Sequence, residues 1–251
     1  MRSLTEDARE PLLLLPGLLC DHVVWQSQLE DLSDVSRCTV AQLGTQDTIE
    51  SMARDALDAA PDTFSLAAHS MGGYVALEIM RRAPERVRRL ALLSTQPRAD
   101  TAEQADRRRA FVEEARRGGF SDVIAGFPPL LFHASRLGEP GLVQGFRAMA
   151  ERVGQEAFLR QQRAIIARRD SVAGLGAVAC PTLVLCGRQD LITPIVNSEL
   201  MADAIPGAEL VVLEDCGHMT PVEQPVVVNR ALRAWLRRPV TSQQDLLLPR
   251  S

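Results

Sequence analysis

The chain opens, after about ten charged and polar residues, on a continuous apolar run, Pro11-Leu12-Leu13-Leu14-Leu15, closed by Pro16-Gly17. An unbroken apolar run of strand length, ended by a turn, is the pattern of a parallel strand covered on both faces. Leu18 to His22 read as a loop, and Val23 to Leu32 as the start of a helix. Ser36 to Leu43 is a second strand, and Thr48 to Leu57 an amphipathic helix with Ile49, Met52, Ala53 and Ala56 on one face and Thr48 as its N-cap. Pro61-Asp62 stop it. A third apolar run from Phe64 to Ala68 leads through Ser70 into a helix that ends before Pro84, and Arg88 to Ser94 form a fourth strand. Strands alternating with helices predict a parallel sheet with right-handed crossovers.

The alternation breaks between Gln96 and about Gly176. Four segments there have helical patterning, 101–117, 119–124, 141–153 and 155–167, with turns at Pro128-Pro129 and Glu139-Pro140-Gly141. Alternation then resumes: strand Pro181 to Cys186, helix Pro194 to Ile205, strand Glu209 to Leu213 and helix Val222 to Leu236. The expectation is an α/β core (1–96 and 177–239) of about six mostly parallel strands, a helical cap (97–176) inserted into it, and a loosely held tail (240–251).

Composition narrows the function classes. A length of 251 residues suits one such domain, and a net charge of −4 with pI near 5.7 points to neither nucleic acid nor an anionic membrane surface. The arginine clusters (81–82, 88–89, 107–109, 116–117, 168–169) are interspersed with acids and read as solvated helix faces. Five cysteines without CxxC spacing indicate neither a disulfide framework nor a zinc site. No cofactor or metal is implied. The charged first ten residues lack the apolar core of a signal peptide, so a reducing cytoplasm is the expected compartment.

The chemistry centres on Ala67-Ala68-His69-Ser70-Met71-Gly72-Gly73. A serine at the apex of a strand–turn–helix is lifted clear of the backbone, and small residues two before and two after it (Ala68, Gly72) let the flanking segments approach. The alternative for the serine is a plain helix N-cap. The pattern resembles the nucleophile elbow of the α/β-hydrolase superfamily, in its serine esterase and enol-lactonase-like branch. It departs at Ala68, where that family more often has Gly, and the family's leading hairpin is short or absent. The resemblance implies a three-layer α/β-hydrolase fold and a Ser–Asp–His chain order. Asp215-Cys216-Gly217-His218, followed by Glu223-Gln224-Pro225, is similar to the family's Gly-His with Glu-x-Pro, which makes His218 the general base. Gly187-Arg188-Gln189-Asp190 with Pro194 resembles its acid stretch, which makes Asp190 the acid; Asp215 is the competitor.

Backbone N–H groups of Leu18 and Met71 are the expected oxyanion donors, although Pro16-Gly17 stands where the family has His-Gly. His69 is expected to pack against the elbow, and His133 to sit in the cap in a surface or substrate role. An apolar pocket is expected to draw on His22, Phe127, Leu131, Phe132 and Met219. Arg163, Arg168 and Arg169 are candidates for a substrate carboxylate, with solvated helix faces as the alternative. The resemblance implies hydrolysis of a small ester or thioester through an acyl-serine, with enol-lactone or carbon–carbon bond hydrolysis as alternatives on the same residues. A cofactor-free haloperoxidase-like activity, or a non-catalytic ligand-binding protein on the same fold, is the remaining option. The partner is then a small ester, thioester or lactone rather than nucleic acid or membrane, and the sequence leaves room for a homodimer.

Overall fold

The computed structural model describes residues 9–240; the expected tail lies almost wholly outside them. Six strands, β1 (Glu10–Leu15), β2 (Ser36–Val40), β3 (Phe64–His69), β4 (Val87–Leu93), β5 (Thr182–Gly187) and β6 (Glu209–Leu213), form one sheet in the order β2-β1-β3-β4-β5-β6. All pairings are parallel. The chain runs from β1 outward to β2 and then returns past β1 to β3. Ligands of such sheets collect beyond the carboxyl ends of the strands, where the order reverses.

Strand periodicity accounts for the two cores. Leu12 and Leu14 pack with Ala67, Leu93 and Leu185 on one face, against Trp25, Leu232 and Trp235. Leu13 and Leu15 pack with Leu66, Ala68 and Leu92 on the other, against Met52, Val75 and Ile79. A strand buried on both faces has no polar position to alternate with, so its sequence reads as a solid apolar run. The first face is covered by α1 (Gln26–Asp31) and α10 (Pro225–Leu236), the second by α2 (Ile49–Ala59), α3 (Met71–Arg82) and α8 (Val196–Ala204). The Thr48 hydroxyl accepts from Ser51 N–H, the N-cap expected for α2.

Between β4 and β5 lie α4 (Ala102–Glu114), α5 (Phe120–Gly126), α6 (Pro128–Leu131) and α7 (Pro140–Ile166). Glycines with positive φ separate the helical patterns seen in the sequence: Gly118 (φ 94°) ends the run that follows α4, and Gly154 (φ 81°) breaks α7 in its middle. This insertion does not bury a core of its own. Phe127, Phe146 and Phe158 belong to the same cluster as Leu12 and Leu14 of the sheet.

Two expectations need correction. The helix expected over 222–236 is two pieces, α9 (Thr220–Glu223) and α10, because Pro225 forces Gln224 out of helical geometry (φ −130°, ψ 59°). The arginine clusters are not uniformly solvated: Arg89 is buried, donating to Glu10 and to the Arg238 carbonyl, and Arg168 is buried against Asp100. Among the described residues no helix is long and apolar enough to cross a membrane.

Candidate active site

Ser70 stands between β3 and α3 with φ 53° and ψ −117°. A non-glycine residue in this region is strained and persists only where its surroundings over-determine it. Here they do: Ser70 N–H donates to the Leu93 carbonyl, while the Ser70 carbonyl accepts from Gly73 N–H and from the Thr95 hydroxyl. The flanking glycines are spatial requirements. A Cβ on Gly72 would lie 2.4 Å from the Leu15 carbonyl oxygen, and one on Gly73 would lie 2.2 Å from Thr95 Oγ1.

Two loops from distant carboxyl ends meet the serine. His218, after β6, has Nε2 2.8 Å from Ser70 Oγ. Its Nδ1 is 2.8 Å from Oδ2 and 3.0 Å from Oδ1 of Asp190, after β5. Asp190 Oδ1 also accepts from Ile192 and Thr193 N–H, and Oδ2 from the Thr193 hydroxyl. Burial pushes the Asp190 carboxyl upward, but the charge interaction with His218 and these hydrogen bonds outweigh it and hold it below the ordinary value. An ionised carboxylate can only accept, so the imidazole proton belongs on Nδ1 and the Nε2 lone pair faces the serine hydroxyl. Asp215, the competing acid, is exposed at a left-handed turn (φ 50°).

The His218 loop is fastened to the insertion. His218 and Met219 N–H both donate to the Leu131 carbonyl. Buried Glu223 spans the junction, Oε1 accepting from Gly217 N–H and Oε2 from His133 N–H; burial raises its carboxyl. That backbone bond, with a ring contact to Ser135, is the setting of His133, away from the cavity at Ser70. His69 is buried with Nε2 3.0 Å from the His218 carbonyl, to which it donates. Its Nδ1 has no partner among the described residues, and burial, then repulsion by His218, pushes its pKa down to about 3.

Leu18 and Met71 N–H groups are left without acceptors among the described residues, beside Ser70 at the mouth of the β1 loop and the first turn of α3. Next to Leu18, Leu19 adopts φ 58°, and its N–H donates to Oε1 of Gln161 on α7, whose Nε2 donates to the Leu43 carbonyl. A side chain of the insertion therefore fixes the loop that follows β1.

A cavity of about 200 Å³ opens over Ser70. One part of its wall is apolar, with Phe111, Phe127, Phe146, Leu131, Ile192 and Met219; another is polar, with Gln96, Gln104, Arg107, Arg108 and Gln162. Of the pocket residues expected from sequence, Phe127, Leu131 and Met219 line this cavity. His22 does not: it is exposed and faces a separate groove beside Asp21 and Arg152. Phe132 does not either, being buried in the core behind the wall. A loop's position in sequence does not fix the side toward which its residues point. The two glutamines of α7 were legible as an anomaly: Gln161 and Gln162 lie three and four residues after Phe158 and before Ile165, on the buried stripe.

Comparison with known proteins identifies the family. The profile of the alpha/beta hydrolase fold family matches residues 42–225. A Variovorax paradoxus protein provisionally named a carbamate hydrolase, RutD, is 30% identical over 91% of this chain and 92% of its own. A pimeloyl-[acyl-carrier protein] methyl ester esterase of Nitrosomonas europaea is 28% identical over 82% of this chain and 88% of its own. Among solved structures, a thermophilic esterase from Thermogutta terrifontis, determined with malate bound, superposes with a TM-score of 0.83 at 33% identity, covering 92% of this chain and 91% of that one. The chain belongs to the alpha/beta hydrolase fold family and is an α/β-fold hydrolase.

Proposed function

We propose that the protein hydrolyses a small ester or thioester through an acyl-serine intermediate. The observation that carries this reading is the unbroken relay from Asp190 Oδ2 through the His218 ring to Ser70 Oγ, each link 2.8 Å long. In the first half-reaction Ser70 Oγ bonds to the substrate carbonyl carbon as His218 Nε2 takes the hydroxyl proton. The carbonyl oxygen becomes an oxyanion that Leu18 and Met71 N–H groups stabilise, each donor contributing about 10²–10³ in rate. Collapse breaks the bond to the alcohol or thiol, which leaves with the proton held on His218. Water, deprotonated by the same Nε2, then attacks the acyl-serine and returns the serine and a carboxylic acid. Asp190 holds the imidazole and offsets its charge.

The helical segment 97–176 acts as the cap that selects the substrate, since it supplies nearly half of the cavity wall, including its phenylalanines and arginines. A cavity of about 200 Å³ suits a compact substrate, below the roughly 300–1,000 Å³ typical of drug-sized ligands. The five free cysteines support a reducing, cytoplasmic setting.

The test combines labelling and turnover. A fluorophosphonate probe should label the protein and not Ser70→Ala, and p-nitrophenyl esters of graded chain length should be hydrolysed, short chains fastest. A native protein that is neither labelled nor active on any ester would overturn the nucleophile assignment.

A further inference from the structure

The polar wall of the cavity holds more donors than the protein itself satisfies. Gln162 is fully buried on α7, and its Oε1 accepts from Arg108 Nη1 at 3.1 Å. A guanidinium can only donate, so this contact fixes the amide orientation and leaves Nε2, on a residue that lines the cavity, as the group still able to donate. That Nε2 has no hydrogen-bond partner among the described residues. A buried unpaired amide N–H is costly, and such a group in a cavity wall points to a partner that arrives with the ligand.

The charge at the same place is also unbalanced. Arg108 Nε donates to Oδ2 of Asp100, and Arg168 Nη1 to Oδ1 of the same carboxylate, so two guanidiniums share one acid. Asp100 and Arg168 are almost completely buried and Arg108 largely so. Glu50 and Glu78, which share a groove with Arg168, are engaged by other arginines, Arg169 for the first and Arg81 and Arg82 for the second. Arg107, mostly exposed and 3.8 Å from Glu103, adds a second, solvated cation to the cavity wall, and no Asp or Glu lines it among the described residues. A desolvated net positive charge is unfavourable until an anion joins it.

Building on the ester hydrolase reading, we propose that the substrate carries a free carboxylate besides its scissile carbonyl, and that Arg108 and Gln162 Nε2 bind it. The guanidinium Nη2 of Arg108, which has no partner among the described residues, and the Gln162 amide supply two donors for the two carboxylate oxygens. The phenylalanine wall covers the hydrocarbon between the two carbonyl groups. The substrate class is thus a half-ester, half-thioester or carboxylated lactone.

The experiment compares monomethyl glutarate with dimethyl glutarate, and acetoxyacetate with its methyl ester. The second pair puts the charge on the alcohol side. In at least one pair the charged ester should have the higher kcat/KM by about tenfold to a hundredfold, the effect expected of charge-assisted hydrogen bonds. Gln162→Glu, which keeps size and the contact with Arg108 but presents an acceptor to the cavity, should bring that ratio to one or below; Arg108→Met should do the same. Neutral esters preferred in both pairs, or a ratio unchanged in Gln162→Glu, would overturn the proposal. Calorimetry on Ser70→Ala reads the site without chemistry: monomethyl glutarate should bind at least tenfold tighter than the diester, and equal binding would overturn the carboxylate site even in a protein active on neutral esters. Loss of Ser70 labelling and of all turnover, with tighter half-ester binding retained, would instead remove the hydrolase reading and leave the carboxylate site standing.

Discussion

Asp190→Asn is the sharpest probe of the relay, because the structure dictates how the new amide must sit. Oδ1 of Asp190 accepts two backbone N–H groups, from Ile192 and Thr193, each at 2.8 Å. An amide nitrogen there would face two donors, so the asparagine oxygen must keep that position. Its NH₂ then occupies the Oδ2 position, 2.8 Å from His218 Nδ1 and 2.8 Å from the Thr193 hydroxyl, which can rotate to accept. The imidazole must now accept at Nδ1, so its proton moves to Nε2 and points at Ser70 Oγ. The serine loses its base while every buried hydrogen bond is kept. A wrong tautomer of this kind costs about 10⁴ in rate in a serine triad, about 5.5 kcal/mol of transition-state stabilisation. Asp190 does not line the cavity, so the loss should fall on kcat with KM and the urea midpoint little changed. The assay is steady-state hydrolysis of p-nitrophenyl butyrate beside Asp215→Asn, which should retain most activity. An Asp190→Asn enzyme with more than a tenth of native kcat, or a larger loss in Asp215→Asn, would refute the assignment.

Three further outcomes follow from local packing. Gly72→Ala puts a methyl 2.4 Å from the Leu15 carbonyl oxygen, backbone that cannot yield, and should destabilise by about 1–3 kcal/mol or more; Gly126→Ala, with nothing within 4 Å, is the control in the same urea titration. Gln161→Leu strands Leu19 N–H and the Leu43 carbonyl; two buried unpaired groups should cost about 2–6 kcal/mol, with kcat reduced because the Leu18 donor adjoins the loosened residue. His69 is neutral in the fold, its pKa down from 6.5 to about 3, so the unfolded chain takes up a proton that the native state refuses. Its contribution is complete above 6.5 and is lost as the pH falls toward 3; in His69→Phe the fall in urea stability across that window should be shallower by about one proton, and an unchanged slope would assign the acid sensitivity elsewhere.

What was legible in the sequence was whatever the local chain dictates. The strands carried it as solid apolar runs, and Gly118 and Gly154 lie at or beside the gaps between the helical patterns. Ser70, Asp190 and His218 could be picked out because each follows a strand at the carboxyl edge, where neighbouring loops are bound to converge. What depends on partners distant in sequence was not legible. Arg89 and Arg168 looked like surface charges because their acids, Glu10 and Asp100, lie 79 and 68 residues away. For His22 only its loop suggests the pocket, and for Phe132 only its apolar neighbours; the first faces a separate groove and the second is buried in the core. Gln161 and Gln162 gave a signal, polar side chains on a buried helical stripe, but their partners at Leu19 and Arg108 belong to the tertiary structure.

The insertion therefore does more than shape a pocket. Its Leu131 carbonyl accepts from both His218 and Met219 N–H, and the Glu223 carboxylate joins Gly217 N–H to His133 N–H across the same seam. On the other side, Gln161 fixes Leu19 beside Leu18, the proposed oxyanion donor. The loops of His218 and Leu18, which bracket Ser70, are both tied by buried hydrogen bonds to the segment that supplies the phenylalanines and arginines of the cavity wall. Close backbone approach enforces the first tie: a Cβ on Gly217 would lie 2.7 Å from the Leu131 carbonyl oxygen. A lid free to swing would break these bonds at each opening, and each broken buried bond costs on the order of 1–3 kcal/mol. Substrate exchange that leaves these bonds intact is thus the cheaper route, and changes at the seam should alter turnover as well as selectivity.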